Sequence, residues 1–125
     1  MGPTLSLILT QKERKFGGFS KAEWADQNGN KILKDYDAFI FSLDNKKKYD
    51  ILKPEYAIAC FPYYNCVIYG NNYDSQGFYI VDQYLTNKSY ENHSTKVYNV
   101  SSNYCLSGEE SFYVKELEVF QIIFE

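Results

Sequence analysis

The stretch Phe112-Tyr113-Val114-Lys115-Glu116-Leu117-Glu118-Val119-Phe120, continuing to Ile123, decides how the rest of the chain is read. Phe112 and Val114 share one parity, whereas Leu117, Val119 and Ile123 share the other. Side chains alternate strictly along a strand, so a single flat strand cannot turn both sets inward. A bulge or break near Lys115-Glu116 reconciles them. Beyond it Phe120, Ile122 and Phe124 oppose the Leu117 set, and a strand apolar on both faces is expected to be covered on both. Glu118 falls within that strand. A carboxylate there must be hydrogen-bonded or paired, because burying it bare is costly. It reads as an edge residue with its head in water, as a structural link to a backbone amide, or as a functional acid.

Upstream, Thr4 to Thr10 sets Leu5, Leu7 and Leu9 on one face of a strand, and Gln11 to Arg14 is its turn. Lys15 to Phe19 returns to close an N-terminal hairpin. The paired Gly17 and Gly18 inside it mark a bulge or a place where another backbone or ring comes close. Ser20-Lys21-Ala22-Glu23 has the form of a capping box opening a helical turn, with Trp24 behind it as a core anchor. Asp26 to Tyr36 contains Asn28-Gly29-Asn30 and reads as an exposed loop.

Ala38-Phe39-Ile40-Phe41-Ser42-Leu43 is a nearly continuous apolar run, expected as a central strand covered on both faces and closed by Asp44-Asn45. Lys46-Lys47-Lys48 then reads as a solvated hairpin turn rather than a nucleic-acid patch. Short strands follow at Tyr49 to Ile51, Tyr56 to Ala59, Val67 to Tyr69 and Phe78 to Val81, between Pro54, Pro62, Gly70 and Gly77. Thr86 to Ser107 is polar and reads as a long surface excursion with a strand around Val97-Tyr98.

Thirteen Tyr and nine Phe reinforce the β reading, because flat rings pack well on a pleated, half-buried surface. Regular short strands favour a sandwich or barrel, and 125 residues form one domain, 1–125. The net charge of −3 excludes the basic footprint of a nucleic-acid binder. No apolar run is long enough to be membrane-embedded. Cys60, Cys66 and Cys105 leave one thiol unpaired in any intramolecular scheme, which points to a reducing, cytoplasmic setting.

A metal site from those cysteines plus His93 is disfavoured by the wide Cys60–Cys66 spacing, so no metal and no cofactor are expected. Enzyme chemistry is disfavoured too. His93 is the one histidine, and neither a Gly-x-Ser-x-Gly elbow, a phosphate-cradling loop nor a Cys-x-x-Cys pair is present. The alternative is a carbohydrate-binding β-sandwich using Tyr63, Tyr64, Tyr69, Tyr73 and Tyr79, against which stands their ordinary use as strand fillers.

Taken in order, Gly2-Pro3-Thr4-Leu5, Lys15-Phe16-Gly17-Gly18-Phe19 with Trp24, Ala38 to Leu43, Gly77-Phe78-Tyr79-Ile80-Val81-Asp82, Leu106-Ser107-Gly108 and Phe112 to Phe120 resemble the TLDc domain family. The resemblance implies a mostly β fold, a two-sheet antiparallel β-sandwich with short helices at its margins. It also implies a non-catalytic protein-interaction domain, linked to protection from oxidative stress and with subunits of the vacuolar proton-pumping ATPase as partner. The family's paired-glycine strand and aromatic anchor fall on Gly17, Gly18 and Trp24, and its acid in the last strand on Glu118. Family members open with helices and an aromatic-rich strand ahead of the Gly-Pro-Thr-Leu element, so the domain reads as N-terminally truncated. Phe120 stands where a Trp is common.

Overall fold

The fold was analysed in a computed structural model that describes residues 3–21, 31–60, 67–71, 76–80, 85–93, 97–102 and 104–122. In chain order the strands are β1 (Thr4–Thr10), β2 (Lys15–Ser20), β3 (Lys31–Leu33), β4 (Phe39–Ser42), β5 (Lys47–Asp50) and β6 (Ile58–Cys60). They continue with β7 (Val67–Asn71), β8 (Gln76–Ile80), β9 (Ser89–His93), β10 (Ser111–Phe112) and β11 (Val114–Gln121). One turn of 3-10 helix, Pro54–Tyr56, precedes β6, opened by a proline whose fixed φ suits a first helical position.

Five strands pair antiparallel in the order β11-β1-β2-β4-β5, and six in the order β10-β9-β8-β7-β6-β3. Their facing sides share one core. Ile8, Phe16, Ile40 and Tyr49 come from the first sheet and Ile58, Tyr69, Phe78 and Ile80 from the second. Phe16 is where the sheets meet, with its ring edge-on to Phe78 at 5.2 Å and to Phe112 at 5.7 Å. Such pairs add about 0.5–1.5 kcal/mol each beyond the area they bury. Tyr69 stacks on Phe78 at 5.0 Å, and the buried Tyr98 hydroxyl donates to the Ala57 carbonyl at 2.7 Å. The aromatic wealth of the sequence is thus spent on a two-sheet antiparallel sandwich.

The alternation in β1 runs opposite to simple polarity. Thr4, Ser6, Ile8 and Thr10 point into the sandwich, and Leu5, Leu7 and Leu9 lie half-buried on the outer face. Small hydroxyl side chains leave room inside for the rings of Phe16 and Tyr69. In β4, Ile40 and Ser42 are buried while Phe39 and Phe41 are only half covered, so the expected double cover is complete on one face alone.

Three further expectations are corrected, and a fourth, the capping box, lies partly outside the described residues. The segment read as a loop from Asp26 to Tyr36 contributes β3, paired with β6 at the edge of the second sheet, and buries Asp35. Ser20 ends β2 with its hydroxyl given to Asp35 Oδ2 at 2.8 Å, while Glu23 of the expected capping box lies outside the described residues. The polar excursion from Thr86 to Ser107 contains β9, an inner strand flanked by β8 and β10. Tyr98 forms an isolated bridge with Ile51 rather than a strand around Val97.

At the C-terminus the parity conflict is resolved twice over. Ser111–Phe112 pairs with β9 in the second sheet and Val114–Gln121 pairs with β1 in the first, so the chain changes sheets at Tyr113. Lys115 then bulges, because Thr10 opposes Val114 and Leu9 opposes Glu116. The expectation that the last strand is covered on both faces is overturned. β11 is an edge strand, and from Lys115 onward only Leu117 is better than exposed. A residue at a sheet edge loses cover from one side, which outweighs its apolar neighbours in sequence.

Candidate functional site

Two regions of the sandwich gather chemistry-bearing side chains. The first lies inside, around β9. Alternation turns Ser89, Glu91 and His93 inward, and all three are buried. The Glu91 carboxylate is fully enclosed and is met by donors on both oxygens. Oε1 accepts from the Ser107 amide at 2.8 Å, and the Ser107 hydroxyl lies 2.7 Å away. Oε2 accepts from the Leu106 amide at 3.1 Å and from His93 Nε2 at 2.8 Å. A buried carboxylate is tolerable only on such terms, with backbone and side-chain donors replacing water.

The same loop is held from the opposite sheet. Arg14, in the β1–β2 turn, donates through Nε to the Leu106 carbonyl at 3.3 Å and through Nη2 to the Cys105 carbonyl at 3.4 Å. Asn45, in the β4–β5 turn, gives Nδ2 to the Cys105 carbonyl at 2.9 Å. Residues 105–107 therefore form a clasp across one end of the sandwich, gripped by Glu91 from one sheet and by Arg14 and Asn45 from the other.

Glu91, His93 and Cys105 also place one potential ligand atom each within 4.8 Å of one another, all buried. The donor set would suit zinc. The geometry opposes it, because each Glu91 oxygen has its lone pairs directed at existing donors and a metal would have to displace them. His93 Nδ1 is buried without a hydrogen-bond partner among the described residues. With the Glu91 carboxylate as acceptor, His93 Nε2 is the donor of their shared hydrogen bond. The Cys105 thiol is free and buried, and burial, followed by the neighbouring Glu91 carboxylate, pushes its pKa up. That is the opposite of what a reactive thiol needs.

The second region is the outer face of the first sheet along β11. Cross-strand register sets Glu116 opposite Leu9, Glu118 opposite Leu7 and Phe120 opposite Leu5. Leu7, Leu9, Lys15, Leu43, Glu116 and Glu118 surround a shallow groove of about 200 Å³. Glu116 and Glu118 have no ion pair or hydrogen bond among the described residues. Val119 and Phe120 are large apolar residues left exposed at 51% and 43%.

The residues singled out from sequence fall in three places. A Cβ on Gly17 would sit 1.9 Å from the Ser6 carbonyl oxygen, and one on Gly18 would sit 2.6 Å from the Tyr69 ring. The pair thus marks a close approach of backbone on one side and of a ring on the other, without a bulge in the β1–β2 register. Trp24 lies outside the described residues. Glu118 is exposed at the groove and far from a covered position. Among the tyrosines considered for sugar stacking, Tyr69 is wholly buried, Tyr79 is half-buried against Tyr90, and Tyr63, Tyr64 and Tyr73 lie outside the described residues.

A model of the TLDc domain matches residues 1–123. The chain belongs to the TLDc domain family. No curated protein sequence matches it. In this TLDc domain the motif Leu106-Ser107-Gly108 is the clasp that receives Glu91, and the motif in β11 is the free edge. Sequence reading missed Glu91 and Asp35, both buried acids. The signal that could have found Glu91 is Ser89-Tyr90-Glu91-Asn92-His93, whose alternate residues are all good side-chain partners for backbone amides. Asp35 is held likewise, accepting from the Lys21 amide at 2.7 Å and the Asp37 amide at 2.9 Å.

Proposed function

We propose that this TLDc domain is a non-catalytic protein-interaction module that works in the cytoplasm by surface contact with a larger assembly, in the setting of oxidative-stress protection. Vacuolar-ATPase subunits are the partner the family resemblance suggests. The observation that carries this reading is the open flank of β11, where Phe120 stands exposed on the same face as the groove of Leu7, Leu9, Lys15, Glu116 and Glu118, and Val119 stands exposed on the other face. Exposed apolar side chains clustered with charge mark contact surfaces more often than isolated ones do.

The buried cluster supports the non-catalytic part. Glu91 is committed to holding the clasp, and the Cys105 thiol is shielded with a raised pKa, so neither is presented to a substrate. No helix among the described residues is long and apolar enough to cross a membrane. Equilibrium binding of the folded chain to isolated vacuolar-ATPase subunits tests the partner. Saturable association supports it, and no association with a demonstrably folded domain removes it. Peptide mapping after mild peroxide tests the chemistry, with Cys105 expected to stay a thiol until the domain unfolds.

A further inference from the structure

Among the described residues the four sheet edges are very unequal. β10 has two residues, β3 three and β5 four, whereas β11 has eight. Short edges protect themselves, because they offer too few backbone groups to template another strand. β11 offers a long row of them next to exposed Val119 and Phe120, and its bulge at Lys115 lies at one end, leaving Glu116 to Gln121 regular.

The side chains on that edge specify who can use it. Opposed residues in an antiparallel pair share a face, so two copies of β11 related by a two-fold axis can only pair in registers that keep outer residues against outer residues. A pair centred on Leu117 sets Glu116 of each copy opposite Glu118 of the other. A pair centred on Glu118 sets the two Glu118 carboxylates against one another. Like charges directly opposed are destabilising, so these two symmetric registers are disfavoured. The same two carboxylates, unpaired and two residues apart on one face, attract a strand that carries cations at the same spacing. A Lys or Arg directly opposite on an added strand brings its charge to Glu116 or Glu118, whereas Leu7 and Leu9 lie one strand further in, on β1.

We propose that β11 is a strand-addition site for an extended segment of another protein bearing Lys or Arg at two alternate positions, opposite Glu116 and Glu118, with apolar residues between and beyond them opposite Leu117, Val119 and Phe120. Main-chain hydrogen bonds supply the docking and the two carboxylates select the sequence. The proposal rests on the protein-binding reading above and names the chemistry of the partner.

The test is fluorescence anisotropy of the full chain with a labelled polyvaline peptide that carries two lysines separated by one valine. Two control peptides are used, one with each lysine replaced by glutamate and one N-methylated along a single backbone edge. The lysine peptide is expected to bind, more weakly at high salt, with the glutamate peptide at least about tenfold weaker and the N-methylated peptide lost. In the E116K/E118K protein the charge preference reverses. Should that variant fold poorly, the peptide controls against the unaltered chain decide alone.

Equal binding of the lysine and glutamate peptides overturns the proposal. So does undiminished binding of the N-methylated peptide, or a dimer of the unaltered chain that dissociates on E116K/E118K substitution. The two readings fail separately. Peptide capture without vacuolar-ATPase binding removes that partner and supports the edge, whereas ATPase binding unaltered by E116K/E118K keeps the partner and overturns the edge.

Discussion

Glu91 and Glu118 are both carboxylates in the middle of antiparallel strands, one in each sheet, and what lies across each strand makes them opposites. β9 has neighbours on both sides, and residues 105–107 pass over its inner face, so Glu91 is enclosed and saturated with donors. β11 has a neighbour on one side only, and Glu118 faces outward over a groove. The contrast shows that an acid is buried where backbone amides arrive to receive it. Apolar sequence neighbours are a poor guide, for β11 has more of them than β9.

The largest effect expected from breaking this contrast is at Glu91. Glu91→Leu leaves the Leu106 and Ser107 amides and His93 Nε2 buried without an acceptor, and removes one grip on the clasp. A loss of about 3–5 kcal/mol in urea unfolding is expected, the usual consequence of deleting one member of a buried polar network. Hydrogen exchange at the Leu106 and Ser107 amides should rise well before global unfolding. If those amides stay protected and stability changes by less than about 1 kcal/mol, Glu91 is not what closes the sandwich.

Next in size are the paired glycines, of which Gly18 tests the sheet-to-sheet spacing and Gly17 the approach of β1 within its own sheet. Gly18→Ala drives a methyl into the Tyr69 ring and Gly17→Ala drives one into the Ser6 carbonyl. Overpacking of this kind costs about 1–3 kcal/mol where neighbours can shift. Gly17→Ala is expected at the upper end, because backbone yields less readily than a ring, and thermal unfolding of the two variants side by side measures the order.

Much of this architecture was legible in the residues. The alternation of β1, the apolar run of β4, the turn at Asp44-Asn45 and the parity conflict around Lys115 each follow from rules that need only neighbours in sequence. The glycine pair announced a close approach, though not which group approaches. Legibility failed where long-range partners decide the outcome. β9 was illegible because its inward residues are Ser89, Glu91 and His93, and a strand whose buried face is polar carries no apolar alternation to read. The cover of β11 was misjudged for the converse reason, since an apolar strand implies cover but cannot say whether the sheet continues beyond it, while the reading of Glu118 as an edge residue with its head in water holds.

A gentler probe of the interior is pH. Burial raises the pKa of Cys105 above its ordinary 9.0 and those of Tyr69 and Tyr98 above 10.0. Near those values the unfolded chain releases protons that the folded chain still holds, so the folded state binds more protons and stability falls as pH rises. The contribution is fully present below pH 9.0 and is lost upward from there, first through Cys105 and then through the tyrosines. Urea midpoints measured from pH 7 to 11 should decline accordingly. Cys105→Ala is expected to delay the onset by removing its earliest component, whereas no delay would assign the decline to the tyrosines alone.

The smallest effect is the one that sharpens the comparison most. Glu118→Gln removes a charge from an exposed edge where no hydrogen bond or ion pair among the described residues holds it, so stability should stay within about 0.5 kcal/mol of the unaltered chain. Removing one of two like charges on the same strand face could even be slightly favourable. A carboxylate whose loss leaves the fold untouched has its reason for being there outside the fold. If Glu118→Gln instead destabilised the domain as Glu91→Leu is expected to, the open edge would have to be closed in solution, and β11 would be an inner strand whose neighbour is yet to be found.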